Sequence, residues 1–133
     1  MTDERGSLAV WTALVMPAFI LCVGLGVDLS GHAAAEQETR AVAQEAARAG
    51  GQYLLVVDGR ARPDIVRAER AANDYVAATS FTSNASAQTD GRITVTVSGR
   101  HPTRFLSMIG INTLPLSATG TARIVSVIAG NEE

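Results

Sequence analysis

Two histidines, one cysteine and one carboxylate at the end of an apolar run are the side chains whose chemistry could go beyond packing. His32 and His101 are the residue type for a metal ligand or a general base. Imidazole does either task only when other groups converge on it, and no spacing around either residue supplies such partners. The pair therefore reads as one solvated histidine near an apolar segment and one in a loop. Catalysis would require both to meet a carboxylate in the fold. Cys22 stands alone, which excludes a disulfide within the chain and a zinc site built on thiolates. A lipobox needs a small residue before its cysteine, and Ile20-Leu21 precedes Cys22, so lipid attachment is not expected. The serines lack a Gly-x-Ser-x-Gly elbow, and Gly24-Leu25-Gly26 lies inside the apolar run, so it is no phosphate loop. The sequence thus assigns no catalytic, cofactor-binding or metal-ligating residue, no cofactor and no small-molecule substrate. Asp28 is the first charge after the apolar run. It either marks the water interface where a helix leaves the membrane or contacts a partner's helix or amine there.

The element that positions these residues is the run itself. Residues 8–27 form a stretch of 20 without a charge. As a helix it spans about 30 Å, the thickness of a bilayer's hydrocarbon core, with its backbone polar groups satisfied internally. A soluble core helix of this length would show a polar stripe. Trp11 lies one turn in, at the level of an interfacial aromatic. Pro17 removes a backbone donor in mid-span and predicts a kink, with Thr12 and neighbouring helices satisfying the freed groups. Gly24 and Gly26 allow close approach of another helix without forming a full GxxxG. Arg5 and the α-amino group precede the run, and Arg40 is the first cation after it, so the cation bias places residues 1–7 in the cytoplasm as a short leader. The rival is a cleavable signal, cut at Ala33-Ala34-Ala35 before Glu36, although the run exceeds a usual h-region.

Residues 28–133 form the predicted exported domain. Net charge is −2, and all 11 basic residues are scattered arginines, which argues against nucleic acid as a partner. The helix is expected to continue over 28–49, loosened at Gly31 and ended by Gly50-Gly51. Its packing face is read as Ala35, Val42, Ala46, Ala49 and Tyr53, with a Glu36–Arg40 pair outside. Asp58-Gly59 is a turn signal. A second helix is expected over 63–79, with Pro63 at its first position, Asp64 in its first turn, and Ile65, Ala68, Ala72 and Val76 inward. The pattern then switches to alternation. Strands are expected at about 81–88, 92–98 and 115–127, with a hairpin turn at Asp90-Gly91 and a short helical turn at 104–109 closed by Gly110. The last strand turns small residues inward, matching an Ala-rich helix. The fold class is α+β: a long N-terminal helix, a second helix, and a small antiparallel three-stranded sheet packed on them.

Glu4-Arg5-Gly6-Ser7-Leu8-Ala9-Val10, then Ala13-Leu14-Val15-Met16-Pro17, Gly24 and Asp28, resembles the N-terminal signature of TadE/TadG-like pilus-assembly proteins of Tad (Flp-type) systems. Residues 41–51 look like that family's Ala-rich helix, and 118–123 look like its closing strand. The resemblance implies a pseudopilin-like, single-pass protein of the inner membrane, with its C-terminal domain outside. Its partners would be membrane lipid and other subunits assembling an adhesive pilus. It also implies a prepilin-peptidase site at the Gly6–Ser7 bond. Processed members often place Glu five residues after the cut, to meet a neighbouring subunit's amine in lipid. Here that position holds Trp11, which leaves an anchored helper and a polymerising subunit as alternatives. Another class of reading is a secreted or tethered binding domain released after Ala35.

Overall fold

The computed structural model describes residues 4–53, 56–57, 60–61 and 64–123, with side chains over 6–53 and 64–123. The elements run α1 (Glu4–Gly51), β1 (Val56–Val57), β2 (Arg60–Ala61), α2 (Ile65–Ala77), β3 (Thr82–Ala87), β4 (Arg92–Pro102), a 3₁₀ turn (Leu106–Ile109) and β5 (Thr113–Arg123). This is the α+β fold that the change of periodicity predicts, with a three-stranded antiparallel sheet ordered β3-β4-β5. The described chain divides into two compact units, Met1–Ala35 with Arg100–Leu114 and Glu36–Gly99 with Pro115–Glu133.

In the second unit the core is built from small side chains. Ala43, Ala46 and Ala47 of α1 and Ala68, Ala72 and Val76 of α2 are fully buried with Ile93, Val95 and Val97 of β4. Ala118 of β5 joins the same cluster. Small residues bury little area each, so this core depends on close approach of backbones. Gly120 shows it: a methyl group there would strike the Ala43 carbonyl and lie 2.6 Å from the Gln44 nitrogen. Gly50 plays the same part against α2, where a methyl would lie 2.7 Å from the Ala68 carbonyl oxygen. The buried face of α1 is therefore Thr39, Ala43, Ala46, Ala47 and Gly50, rotated from the expected face. Ala35, Val42 and Ala49 sit at its margin and Tyr53 is exposed.

Other expectations need correction. Gly31 does not loosen α1, which runs unbroken to Gly51. Asp64 precedes α2 as its N-cap, its carboxylate accepting from the Arg67 backbone N–H at 3.1 Å, and the helix starts at Ile65. β4 extends to Pro102, which at a strand terminus removes no interior ladder bond. The Glu36–Arg40 pair forms at 3.1 Å but is exposed, so it adds only a few tenths of a kcal/mol. Asp90 and Gly91 make the turn as read: Gly91 has φ 81°, and the Arg92 N–H donates to the Asp90 carboxylate at 3.1 Å. Glu69 accepts from the Ala87 N–H at 2.9 Å, and the Ser83 hydroxyl donates to Asn73 at 2.8 Å, which ties β3 to α2. The turn expected at 58–59, Pro63 and the strand end at 124–127 lie outside the described residues.

Candidate functional site

In the first unit α1 carries the apolar stretch. Every residue from 6 to 23 is exposed, including Leu8, Trp11, Leu14, Phe19 and Ile20 at 56% or more. Fully burying one such side chain is worth about 1.5–3 kcal/mol, so this surface requires a cover. α1 is long and apolar enough to cross a membrane, and only 6% of its most apolar window is buried. A core helix of a soluble domain would be mostly buried. Gly6 and Ser7 are exposed within the first turns of α1, and Pro17 lies inside it. The Thr12 hydroxyl donates to the Leu8 carbonyl at 2.8 Å, so it does not serve the Ala13 carbonyl that Pro17 leaves without its helical donor.

Gly24 and Asp28 are brought together with residues 104–106, about 76 to 81 positions away in the chain. Asp28 is 3% exposed. Its Oδ1 accepts from the Arg104 N–H at 2.8 Å, and its Oδ2 accepts from Phe105 at 2.9 Å and Leu106 at 2.7 Å. These N–H groups head the 3₁₀ turn Leu106–Ile109, whose own N-cap residue, Phe105, makes no side-chain cap bond. Asp28 therefore caps that turn from α1. Burial acts to raise the Asp28 carboxyl. The three backbone donors and the positive field of His101 outweigh it and hold the group below the ordinary carboxylate range. Asp28, expected either to mark the water interface or to meet a partner, thus has both carboxylate oxygens engaged by the chain's own backbone.

Two glycines flank the aspartate on one helical face. A methyl at Gly24 would come within 2.5 Å of the Phe105 ring, and one at Gly31 within 3.0 Å of His101 Nε2. Gly24 thus accommodates the chain's own Phe105, and the space beside Gly26 is open. Thr103 completes the segment: its hydroxyl donates to the Ile111 carbonyl, and its N–H donates to Asn112 at 3.0 Å. The spacing of Gly24, Asp28 and Gly31 at i, i+4 and i+7 was the signal available in the sequence.

The two histidines also converge, against expectation, with rings edge-to-face at 6.3 Å. One helical turn before His32 on α1 stands Asp28, whose oxygens are both engaged by backbone donors, and a carboxylate so held is a weak base. Among the described residues no group of three or more His, Cys, Asp or Glu is placed to hold a metal. In the second unit an open groove of about 700 Å³ is lined by Gln52, Tyr53, Arg67, Arg70, Asp74 and Tyr75 among others.

Neither a curated protein nor a solved structure matches the chain. The 118–123 segment, read as a closing strand of the pilus family, lies beyond what the family comparison matches. Residues 6–53, which take in α1 almost whole, match the model of the Tad family, described as Flp pilus-assembly TadE/G-like, and this similarity together with the long apolar helix fits a pilus-assembly component.

Proposed function

We propose that this chain is a membrane-anchored, pseudopilin-like component of a Tad/Flp-type pilus-assembly apparatus. Residues 8–27 span the inner membrane once, and the α+β part lies outside the cytoplasm. The chain acts by docking its apolar helix among other helices and by protein contacts outside the membrane. One observation carries this reading: the family match coincides with a helix whose apolar side chains the chain itself leaves uncovered. Helix packing in lipid, through small residues and close contacts, is the chemistry such a surface offers. Other pilus-assembly subunits are the proposed partners, with prepilin peptidase acting at Gly6–Ser7 if the chain is processed.

Release after Ala35 is the poorer reading. It would remove Gly24, Asp28 and Gly31, and with them the acceptor of three backbone N–H groups in the 104–106 segment. The test is fractionation of cells that assemble such a pilus, with crosslinking. The full chain is expected in the carbonate-resistant membrane fraction, crosslinked to other assembly subunits. Recovery as a detergent-free, monodisperse species with residues 8–27 intact would refute the proposal.

A further inference from the structure

The segment capped by Asp28 has a second, apolar side. Within residues 105–111, Met108 is 78% exposed, Ile109 66% and Ile111 43%, and Phe105 and Leu106 are half-buried. Single exposed apolar residues are ordinary on a protein surface, whereas three large ones within four positions are not. They stand on a closed scaffold. The Met108 N–H donates to the Phe105 carbonyl at 3.1 Å, Gly110 to Ser107 at 3.1 Å and Ile111 to Leu106 at 3.0 Å. Gly110 closes the turn at φ 91°, a conformation that suits glycine.

Phe105 sets the level of this turn along α1. Its ring packs on Gly24, inside the 8–27 stretch and four residues before Asp28. With a rise of about 1.5 Å per residue, Gly24 lies about 6 Å along the axis from Asp28. A ring in contact with Gly24 therefore shares the depth of the last turn of the apolar stretch. Residues 105–111 carry no charge, and the adjacent Arg104 is exposed, with a stem long enough to carry its guanidinium outward.

We propose that residues 105–111 form a second membrane-contact element, seated in the leaflet from which α1 emerges, with Met108, Ile109 and Ile111 among acyl chains and headgroups. This rests on the reading that residues 8–27 span a membrane. Lipid is the occupant because the turn meets α1, through Phe105, at the depth of its last apolar turn, and residues 105–111 carry no charge for a polar partner. The consequence is a two-point anchor: the helix crosses the bilayer, and the turn fixes how the helix exit sits against the lipid surface.

The test uses the full chain in lipid vesicles with Cys22→Ser as background and single spin-labelled cysteines at Met108→Cys or Ile109→Cys. Phe19→Cys serves as the span control and Asp90→Cys as the aqueous control. Collision with oxygen, which concentrates in lipid, is compared with collision with a water-soluble nickel chelate. Labels at 108 and 109 are expected to favour oxygen, as at 19, with the ratio inverted at 90. If 108 and 109 behave like 90 while 19 favours oxygen, the turn is wet and the inference falls with the span intact. If 108 and 109 are shielded from both reagents, protein covers the turn and the inference also falls. If 19 itself favours the chelate, the spanning reading fails first.

Discussion

Asp28 and Gly120 show how single residues hold this chain together by opposite means. Asp28 supplies an acceptor that three backbone donors share, which asparagine cannot match: its amide nitrogen would face an N–H group. For Asp28→Asn the expected outcome is faster hydrogen exchange at the Arg104, Phe105 and Leu106 amides, with little change in α2. The pH dependence has a definite sign. A carboxyl depressed in the folded state stabilises above its unfolded value, about 3.9 for aspartate, and the effect fades as pH falls through the lower folded value. The difference in Tm between the native chain and Asp28→Asn should be constant above about pH 5 and shrink below that range. Gly120 contributes by absence. Gly120→Ala would set a methyl against the backbone of Ala43 and Gln44, which cannot rotate away as a side chain could. A loss of about 1–3 kcal/mol in denaturant unfolding is expected. Gly26→Ala, whose added methyl meets nothing within 4 Å, should leave unfolding unchanged or slightly stabilise the helix.

At the scale of elements, α1 changes character along its length. Its first half presents apolar side chains all round, and its second half has a narrow stripe of alanine, threonine and glycine facing α2 and the sheet. The stripe gains its stability from what the sheet presses against it, above all Ile93, Val95 and Val97, which alternate inward along β4 between exposed or half-buried partners. Ile93 is the largest fully buried side chain among the described residues. Ile93→Ala should therefore cost about 2–5 kcal/mol in unfolding of the second unit, read by the loss of its circular dichroism transition. Since Ile93 touches the space beside Gly50 and Ala72, the cavity would open where both helices meet the sheet.

At the scale of the whole molecule, the proposed role is decided by what becomes of the N-terminal region. Mass spectrometry of the mature N-terminus separates three fates. An uncut start marks an anchored helper, Ser7 marks pseudopilin processing, and Glu36 marks secretion. The expected outcome excludes Glu36, since residues 24–31 hold the 100–114 segment by Asp28 and by close contact at two glycines. Between the first two, Trp11 in place of the acidic residue of processed pseudopilins makes the uncut start the expected result.

The sequence alone settled whatever depends on period and hydrophobic contrast: the apolar span, the switch to alternation after Thr79, the turn at Asp90-Gly91 and the α+β class. It could not phase the Ala-rich half of α1. Alanine, glycine and threonine differ too little in hydrophobicity to mark a face, and the buried face was chosen by where backbones approach closely, as at Ala43 and Gly120. Nor could it join Asp28 to residues 104–106 or bring His32 beside His101. Such contacts depend on backbone donors and on distance in space, and neither is written in side-chain type or local spacing.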